Sequence, residues 1–364
     1  MAVVIGLDVG GANVKACCLD IRGGAVVRGR AKAVYHEVWR DPEGLRAVLG
    51  NMRQGLCREV PGPLRAVALT MTAELCDVFP SKAQGTEYIT ALTRTVFADV
   101  PVFLWTMAGE FIKGCEASGR TAAAAAANWL ASATALAESP LGDDSPALLA
   151  DLGSTTADLI VLPPPGQRLR GRTDTERLTA GELVYTGVLR TPVGAVADTV
   201  YIDGLPCRVT SEYFAVMADV YRLLGQITDA EYLVAVPDSG ARTAEACARR
   251  LARVVAAEPE TLGQDGVYAL AGYIREKQIQ QIVGAVWQIL SRSRRPWPAR
   301  LITAGQGDFL LREIARRLGW EASPWWQLLP GGEAKREYPL TAYAVAWLLA
   351  GWLAADPEEY SDHH

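Results

Sequence analysis

The chain of 364 residues is long enough for two domains, and half of it is hydrophobic, which suffices for a large core in each. A formal net charge of −5 without any basic stripe argues against nucleic acid as a partner. Seven cysteines, an odd number with no C-x-x-C, read as thiols of a cytoplasmic protein rather than a disulfide framework or zinc ribbon, and no secretory pattern is visible.

In chain order, strand-like runs fall at 3–8, 14–19, 25–34, 65–71 and 101–105, with helical patterns near 42–58 and 84–98. Strands mixed with helices predict an α/β layered domain. The alanine-rich segment 121–138 has strong helix propensity, and Trp129, Leu130 and Leu136 give it a packing face. A second hairpin pattern follows at 147–162, then a loop at 163–167 and a polar, glycine-containing stretch at 171–196. Helices are expected near 211–224, 241–257 and 266–292, a short strand at "ARLITAG", and a helix at 308–318. The closing segment "LTAYAVAWLLAGWLAA" (340–355) is shorter than the roughly 20 residues of a membrane span, so it reads as a buried core helix returning to the first domain. Two domains are expected, 1–122 plus 338–364 and 123–337.

Two stretches carry the chemistry. "VVIGLDVGGANVKACCLD" (3–20) and "LLADLGSTTADLIVL" (148–162) each read as apolar strand, Asp-x-Gly-small, apolar strand. Glycine permits the positive φ that tight turns need, and such turns gather backbone N–H groups into a concavity suited to phosphate oxygens. An acid ending the first strand suits hydrated Mg²⁺. One copy alone reads as an ordinary Asp-Gly turn; two copies, each opening a segment of similar length, favour a pair of phosphate loops. The expected phosphate-binding residues are Gly10, Gly11, Asn13 and Lys15 in the first copy and Gly153, Ser154, Thr155 and Thr156 in the second, with Asp8 and Asp151 as catalytic acids holding Mg²⁺ through water.

Together with "LITAGQGDFLL" (301–311), which brings in Gly305, Gln306 and Gly307, the two hairpins resemble the phosphate-1, phosphate-2 and adenosine segments of the actin/Hsp70/sugar-kinase superfamily. The resemblance implies a duplicated ribonuclease H-like α/β fold of two domains with a central cleft, the hairpins facing across it. "DLGSTTADLIVL" is similar to the hydantoinase/oxoprolinase branch. "MTAELCDVF" (71–79) and "GELVYTGVLRTPV" (181–193) narrow the resemblance to the methanofuran-biosynthesis branch, associated with tetrahydromethanopterin-linked C1 transfer. That branch implies a transferase joining the phenol of a γ-glutamyl-tyramine-type or tyrosine-type substrate to a furan-methyl diphosphate, releasing diphosphate. The partners are then small molecules, with no nucleic acid or membrane. An ATP-dependent kinase or hydantoinase-like amidohydrolase is the alternative, for which ATP would be the cofactor; an actin-like or chaperone-like ATPase is a third. Ala12 stands where the superfamily often places a hydroxyl, which departs from γ-phosphate handling.

A phenol has a pKa of about 10, so forming its anion at pH 7 costs roughly 4 kcal/mol and calls for a base or a cation-like electrophile. Glu74 and Glu182 are the catalytic candidates for this base, and Asp158 is a third. Arg172 and Arg190 are candidates for a substrate carboxylate. Tyr185 is a candidate to stack on a substrate ring, although a core position is the plainer expectation for it and for Tyr201. Trp325 and Trp326 read as packing. His36, the one histidine outside the C-terminal pair, reads as a surface or strand-end residue.

Overall fold

A computed structural model of the chain describes residues 2–115, 125–139, 146–162, 173–292 and 297–355. Strands β1 (Ala2–Val9), β2 (Asn13–Arg22) and β3 (Ala25–Tyr35) form an antiparallel meander. Helix α1 (Leu45–Glu59) carries the chain to β4 (Leu64–Met71), which pairs parallel with β1. A 3-10 turn (Ala73–Leu75) and helix α2 (Lys82–Val96) lead to β5 (Val102–Trp105), parallel to β4, and β6 (Phe111–Lys113) adds an antiparallel edge. The sheet order is β3-β2-β1-β4-β5-β6. Its central strands read as apolar runs because both faces are covered: Val4, Ile5, Val9, Val67, Ala68 and Leu69 are fully buried.

Helix α3 (Asn128–Ala137) precedes a second sheet, opened by β7 (Ala147–Leu152) and β8 (Ala157–Val161). Next come helix α4 (Asp174–Ala180), β9 (Leu183–Val184), a small ribbon of β10 (Thr199–Ile202) and β11 (Leu205–Arg208), and helices α5 (Met217–Leu223), α6 (Ala244–Arg253) and α7 (Pro259–Arg292). Strand β12 (Arg300–Ala304), helix α8 (Asp308–Leu318), β13 (Glu321–Pro324) and helix α9 (Leu340–Ala355) complete the chain. The order β13-β12-β7-β8-β9 repeats the first sheet: β7–β8–β9 is an antiparallel meander and β12 pairs parallel with β7, as β4 does with β1.

Residues 2–115, 125–139 and 324–355 group into one compact unit, and 146–161 and 174–323 into another. The boundaries read from sequence assign 125–139 and 324–337 differently, because their partners lie far along the chain. Helix α3 packs on α9. The Trp325 ring lies 5.3 Å from that of Tyr343 in α9, and the Lys335 ammonium sits 4.7 Å from the same ring while donating to the Leu329 carbonyl at 2.7 Å. Burial pushes that ammonium's pKa down to about 8. Helix α9 is apolar on all sides because residues Leu340 to Ala346 and Leu348 to Ala350 are all buried.

The helix expected at 121–138 begins at Asn128, and three later helices also differ from the sequence reading. The helix expected from 211 begins at Met217, since Val216 bridges to Pro192 and the Met217 N–H is taken by the Thr191 carbonyl. Helix α6 is shorter at both ends, starting after the Thr243 cap. Helix α7 extends back to Pro259 across a break at Gly263, where φ is +70°. Among the described residues, no helix is long and apolar enough to cross a membrane.

Candidate active site

The two Asp-Gly turns have the same backbone. In the first, β1 and β2 pair as far as Val9–Val14, and the Gly10 N–H closes the loop on the Asn13 carbonyl at 2.9 Å. In the second, β7 and β8 pair as far as Leu152–Ala157, and the Gly153 N–H closes on Thr156 at 2.9 Å. Asp8 and Asp151 therefore hold equivalent positions, each one residue before the last ladder pair.

Their surroundings differ. Asp8 is 1 % exposed. A Cβ on Gly6 would lie 2.1 Å from the Ala342 carbonyl, so only glycine lets α9 approach β1 this closely. That approach delivers Thr341 Oγ1 to Asp8 Oδ2 at 2.5 Å, where the Lys15 ammonium joins at 3.2 Å from the opposite register position. Asp8 Oδ1 is buried and accepts no hydrogen bond among the described residues. Flanking chain fixes the loop itself: Val38 and His36 donate their N–H groups to the Gly11 and Ala12 carbonyls. His36 Nε2 meets the Asp41 carbonyl at 2.8 Å, in keeping with a strand-end residue.

Asp151 faces Asp158 across its hairpin. Like charges at directly opposed positions are unfavourable, and the buried Arg177 of α4 offsets this by donating to Asp158 at 2.6 Å. The loop carbonyls are clamped by 188–190. Val188 donates to Gly153, and Leu189 and Arg190 both donate to Ser154. In a trans peptide the C=O of one residue and the N–H of the next point oppositely, so the Ser154 and Thr155 N–H groups turn away from the clamp. Behind the hairpin, Ala304 is the register partner of Asp151, and the Gly307 N–H donates to the Leu152 carbonyl at 2.8 Å. Gly305, Gln306 and Gly307 thus adjoin the second hairpin, with Gln306 exposed.

The base candidates sit in three settings. Glu74 is buried and its Oε1 accepts from the Ala126 N–H at 2.8 Å. Ala126 has φ of +51°, so Glu74 fastens the strained chain entering α3. Glu182 pairs with Arg292 of α7 at 2.7 Å. Asp158 is on the hairpin itself. Tyr185 and Tyr201 are 58 % and 57 % exposed, so neither is a core residue; Tyr185 follows β9, and Tyr201 lies in β10 with its ring edge-on to Tyr273 of α7 at 5.6 Å. Partial desolvation first, then the charges of Asp174 and Asp158, push the Tyr185 phenol up from its ordinary value. Arg190 is brought to the second loop by its own N–H, whereas Arg172 lies outside the described residues. Trp325 is packing.

Sequence reasoning missed Thr341, Arg177 and Gln278. Only Gln278 left a signal: it interrupts an apolar stripe at one-turn spacing between Ile274 and Ile282, all three fully buried.

Among the described residues, no cluster of three or more His, Cys, Asp or Glu side chains is built to hold a metal. The buried Asp8 Oδ1 nevertheless suits a hard cation that keeps most of its water, as Mg²⁺ does.

Paired sheets of repeated topology, each led by an Asp-Gly hairpin, define an α/β protein of the actin/Hsp70/sugar-kinase type. Within that class the chain belongs to the hydantoinase/oxoprolinase family, whose model matches residues 65–323. It is 33 % identical over 311 residues, 85 % of this chain and 88 % of the relative, to the (4-{4-[2-(gamma-L-glutamylamino)ethyl]phenoxymethyl}furan-2-yl)methanamine synthase of Methanocaldococcus jannaschii. The synthase of the same name from Methanococcus vannielii is 27 % identical over 48 % of this chain and 77 % of its own length. A nucleotide-free structure of an ATP-dependent acetone carboxylase shares the fold, with a TM-score of 0.50 and 9 % identity over 88 % of this chain and 68 % of that one. The relatives make this chain an enzyme related to a synthase.

Proposed function

We propose that the chain condenses a furan-methyl diphosphate with the phenol of a γ-glutamyl-tyramine-type or tyrosine-type substrate, forming an aryl–furanmethyl ether of methanofuran biosynthesis. The observation that carries this reading is the 33 % identity to a synthase of that phenoxymethyl-furan product, spread over 85 % of the chain.

The bond that breaks joins the furan-methyl carbon to a diphosphate oxygen, and the electron pair leaves with diphosphate. The bond that forms joins the phenol oxygen to the same carbon, and the phenol proton passes to a carboxylate. The second loop supports the departure, because the Ser154 and Thr155 amides and the hydroxyls of Ser154, Thr155 and Thr156 meet developing negative charge. Arg190 adds a cation at that loop. Asp8 and Asp151 are the acids proposed to hold Mg²⁺ through water, and its charge would offset that of the leaving group. The furan ring delocalises positive charge as the bond lengthens. The phenol then stays protonated until attack is well advanced, when a nearby carboxylate takes the proton. Each carboxylate candidate is already engaged, Asp158 by Arg177, Glu74 by the Ala126 N–H and Glu182 by Arg292; Asp158 is favoured because it stands on the hairpin that carries the second loop.

The test is mass-spectrometric detection of the ether, together with released diphosphate, from the two substrates with and without ATP. Ether and diphosphate in equal amounts without ATP are expected, with loss of both in excess chelator. ATP cleavage matched one-for-one to product, or full activity in chelator, would move the assignment to the kinase or amidohydrolase reading.

A further inference from the structure

We infer that Gln278, far from the loops in sequence, is a positioning residue that sets the aim of the second loop's amides. Its carboxamide is fully buried within α7 and has every hydrogen-bonding direction but one engaged. Oε1 accepts from the Tyr221 hydroxyl, and Nε2 donates to Thr186 Oγ1 at 2.8 Å and to the Gly187 carbonyl at 2.9 Å. The other side of Gly187 is held as well, its N–H donating to Thr191 Oγ1 at 2.7 Å. Gly187 lies against the loop. A Cβ there would be 2.3 Å from the Thr155 nitrogen and 2.4 Å from the Ser154 carbonyl carbon. Fixing Gly187 therefore fixes where residues 188–190 start.

Those three residues hand their N–H groups to the Gly153 and Ser154 carbonyls. Peptide planarity converts the direction of each carbonyl into the direction of the next N–H. Gln278 thus acts on the Ser154 and Thr155 amides through two rigid steps, without touching a ligand itself. The far end of the clamp has its own anchor. The Met217 and Ala218 N–H groups at the start of α5 donate to Thr191 and Leu189, and Asp219 caps that start while buried against Arg250 at 2.7 Å. With that end secured, the Gln278 end is the one a single side chain controls.

This rests on the proposed diphosphate chemistry, so the experiment separates the two. Binding of inorganic diphosphate with Mg²⁺ is measured by calorimetry, and steady-state kinetics by diphosphate release, for wild type, Gln278→Met and Thr191→Val. Methionine keeps the volume and removes the donor. The expected result is a rise of about tenfold in the diphosphate Kd and in KM for the furan diphosphate, with kcat falling as well because the same amides meet charge that develops as the bond breaks. Thr191→Val should move the same two quantities in the same direction by a smaller factor, and it decides the matter if Gln278→Met does not fold. A lowered melting temperature with unchanged Kd and KM in both variants overturns the role of Gln278 alone. A wild-type protein that does not bind diphosphate overturns the functional reading and this inference together.

Discussion

Asp8 and Asp151 occupy the same place in two copies of one turn, yet they meet different neighbours. Across its hairpin Asp8 finds Lys15, and Asp151 finds Asp158. The first turn carries Gly11 and Ala12, side chains with nothing to donate; the second carries Ser154 and Thr155. The first buries its acid and leaves one carboxylate oxygen without a hydrogen bond among the described residues. The second leaves its acid and hydroxyl residues partly exposed. On the proposed reading the duplicated backbone is divided chemically: the first turn offers an acceptor for a cation, and the second, besides its own acid, offers donors for an anion.

The strongest way to break this division is Asp8→Asn, which keeps the shape and the acceptor for Lys15 and Thr341 but removes the charge. Turnover should fall about a hundred- to a thousandfold, on the scale of losing one well-placed electrostatic group, with the melting temperature nearly unchanged. Diphosphate release and a thermal melt measured together check this; a large melting shift, or turnover within a few-fold of wild type, would remove Asp8 as the cation pole.

A second test compares the cross-strand partners. Arg177 is buried against Asp158, so Arg177→Met should cost about 3–5 kcal/mol by leaving a partly buried carboxylate uncompensated. Lys15 is 36 % exposed and meets Asp8 at a longer 3.2 Å, and Thr341 also donates to the same oxygen, so Lys15→Met should cost less, about 1–3 kcal/mol, although Asp8 is buried. Urea unfolding of both variants reads the difference, and equal losses would mean that the two hairpins are electrostatically alike after all.

The smallest expected effect sharpens the comparison by exchange. Thr155→Ala removes a hydroxyl from the anion side and should raise KM for the diphosphate substrate about threefold to tenfold, the range of one neutral hydrogen bond. Ala12→Thr adds the hydroxyl at the equivalent place of the first turn and should leave KM within about twofold. Steady-state kinetics on both decide it, and the reverse order would contradict the assignment of donors to the second loop.

Much of the fold was readable from the sequence. The alternation of apolar runs and helical periods located β1 to β5, β7, β8, β12 and most helices, because those patterns report local geometry and burial. The repeated Asp-x-Gly-small located both turns, since a tight turn demands particular residues. The two-residue β9 and the exposed β10–β11 ribbon escaped, being too short or too solvated to leave a period. Helix α3 was located without its domain, because nothing in an apolar face says which surface will cover it.

Within the site, the sequence by itself determined the residue types at each turn, the equivalence of the two turns, and the apolar character of the closing helix. Only the tertiary structure decided what those residues do. Thr341, 333 positions from Asp8, saturates one carboxylate oxygen because Gly6 lets α9 close on β1. Glu74 has the composition of a catalytic acid but holds Ala126, 52 positions away. Gln278 reads as a polar break in a helix until Thr186 and Gly187 arrive beside it. The physical reason is the same in each case. A period reports which side of an element is covered, whereas the charge, aim and availability of a buried polar group depend on partners that folding brings from elsewhere in the chain.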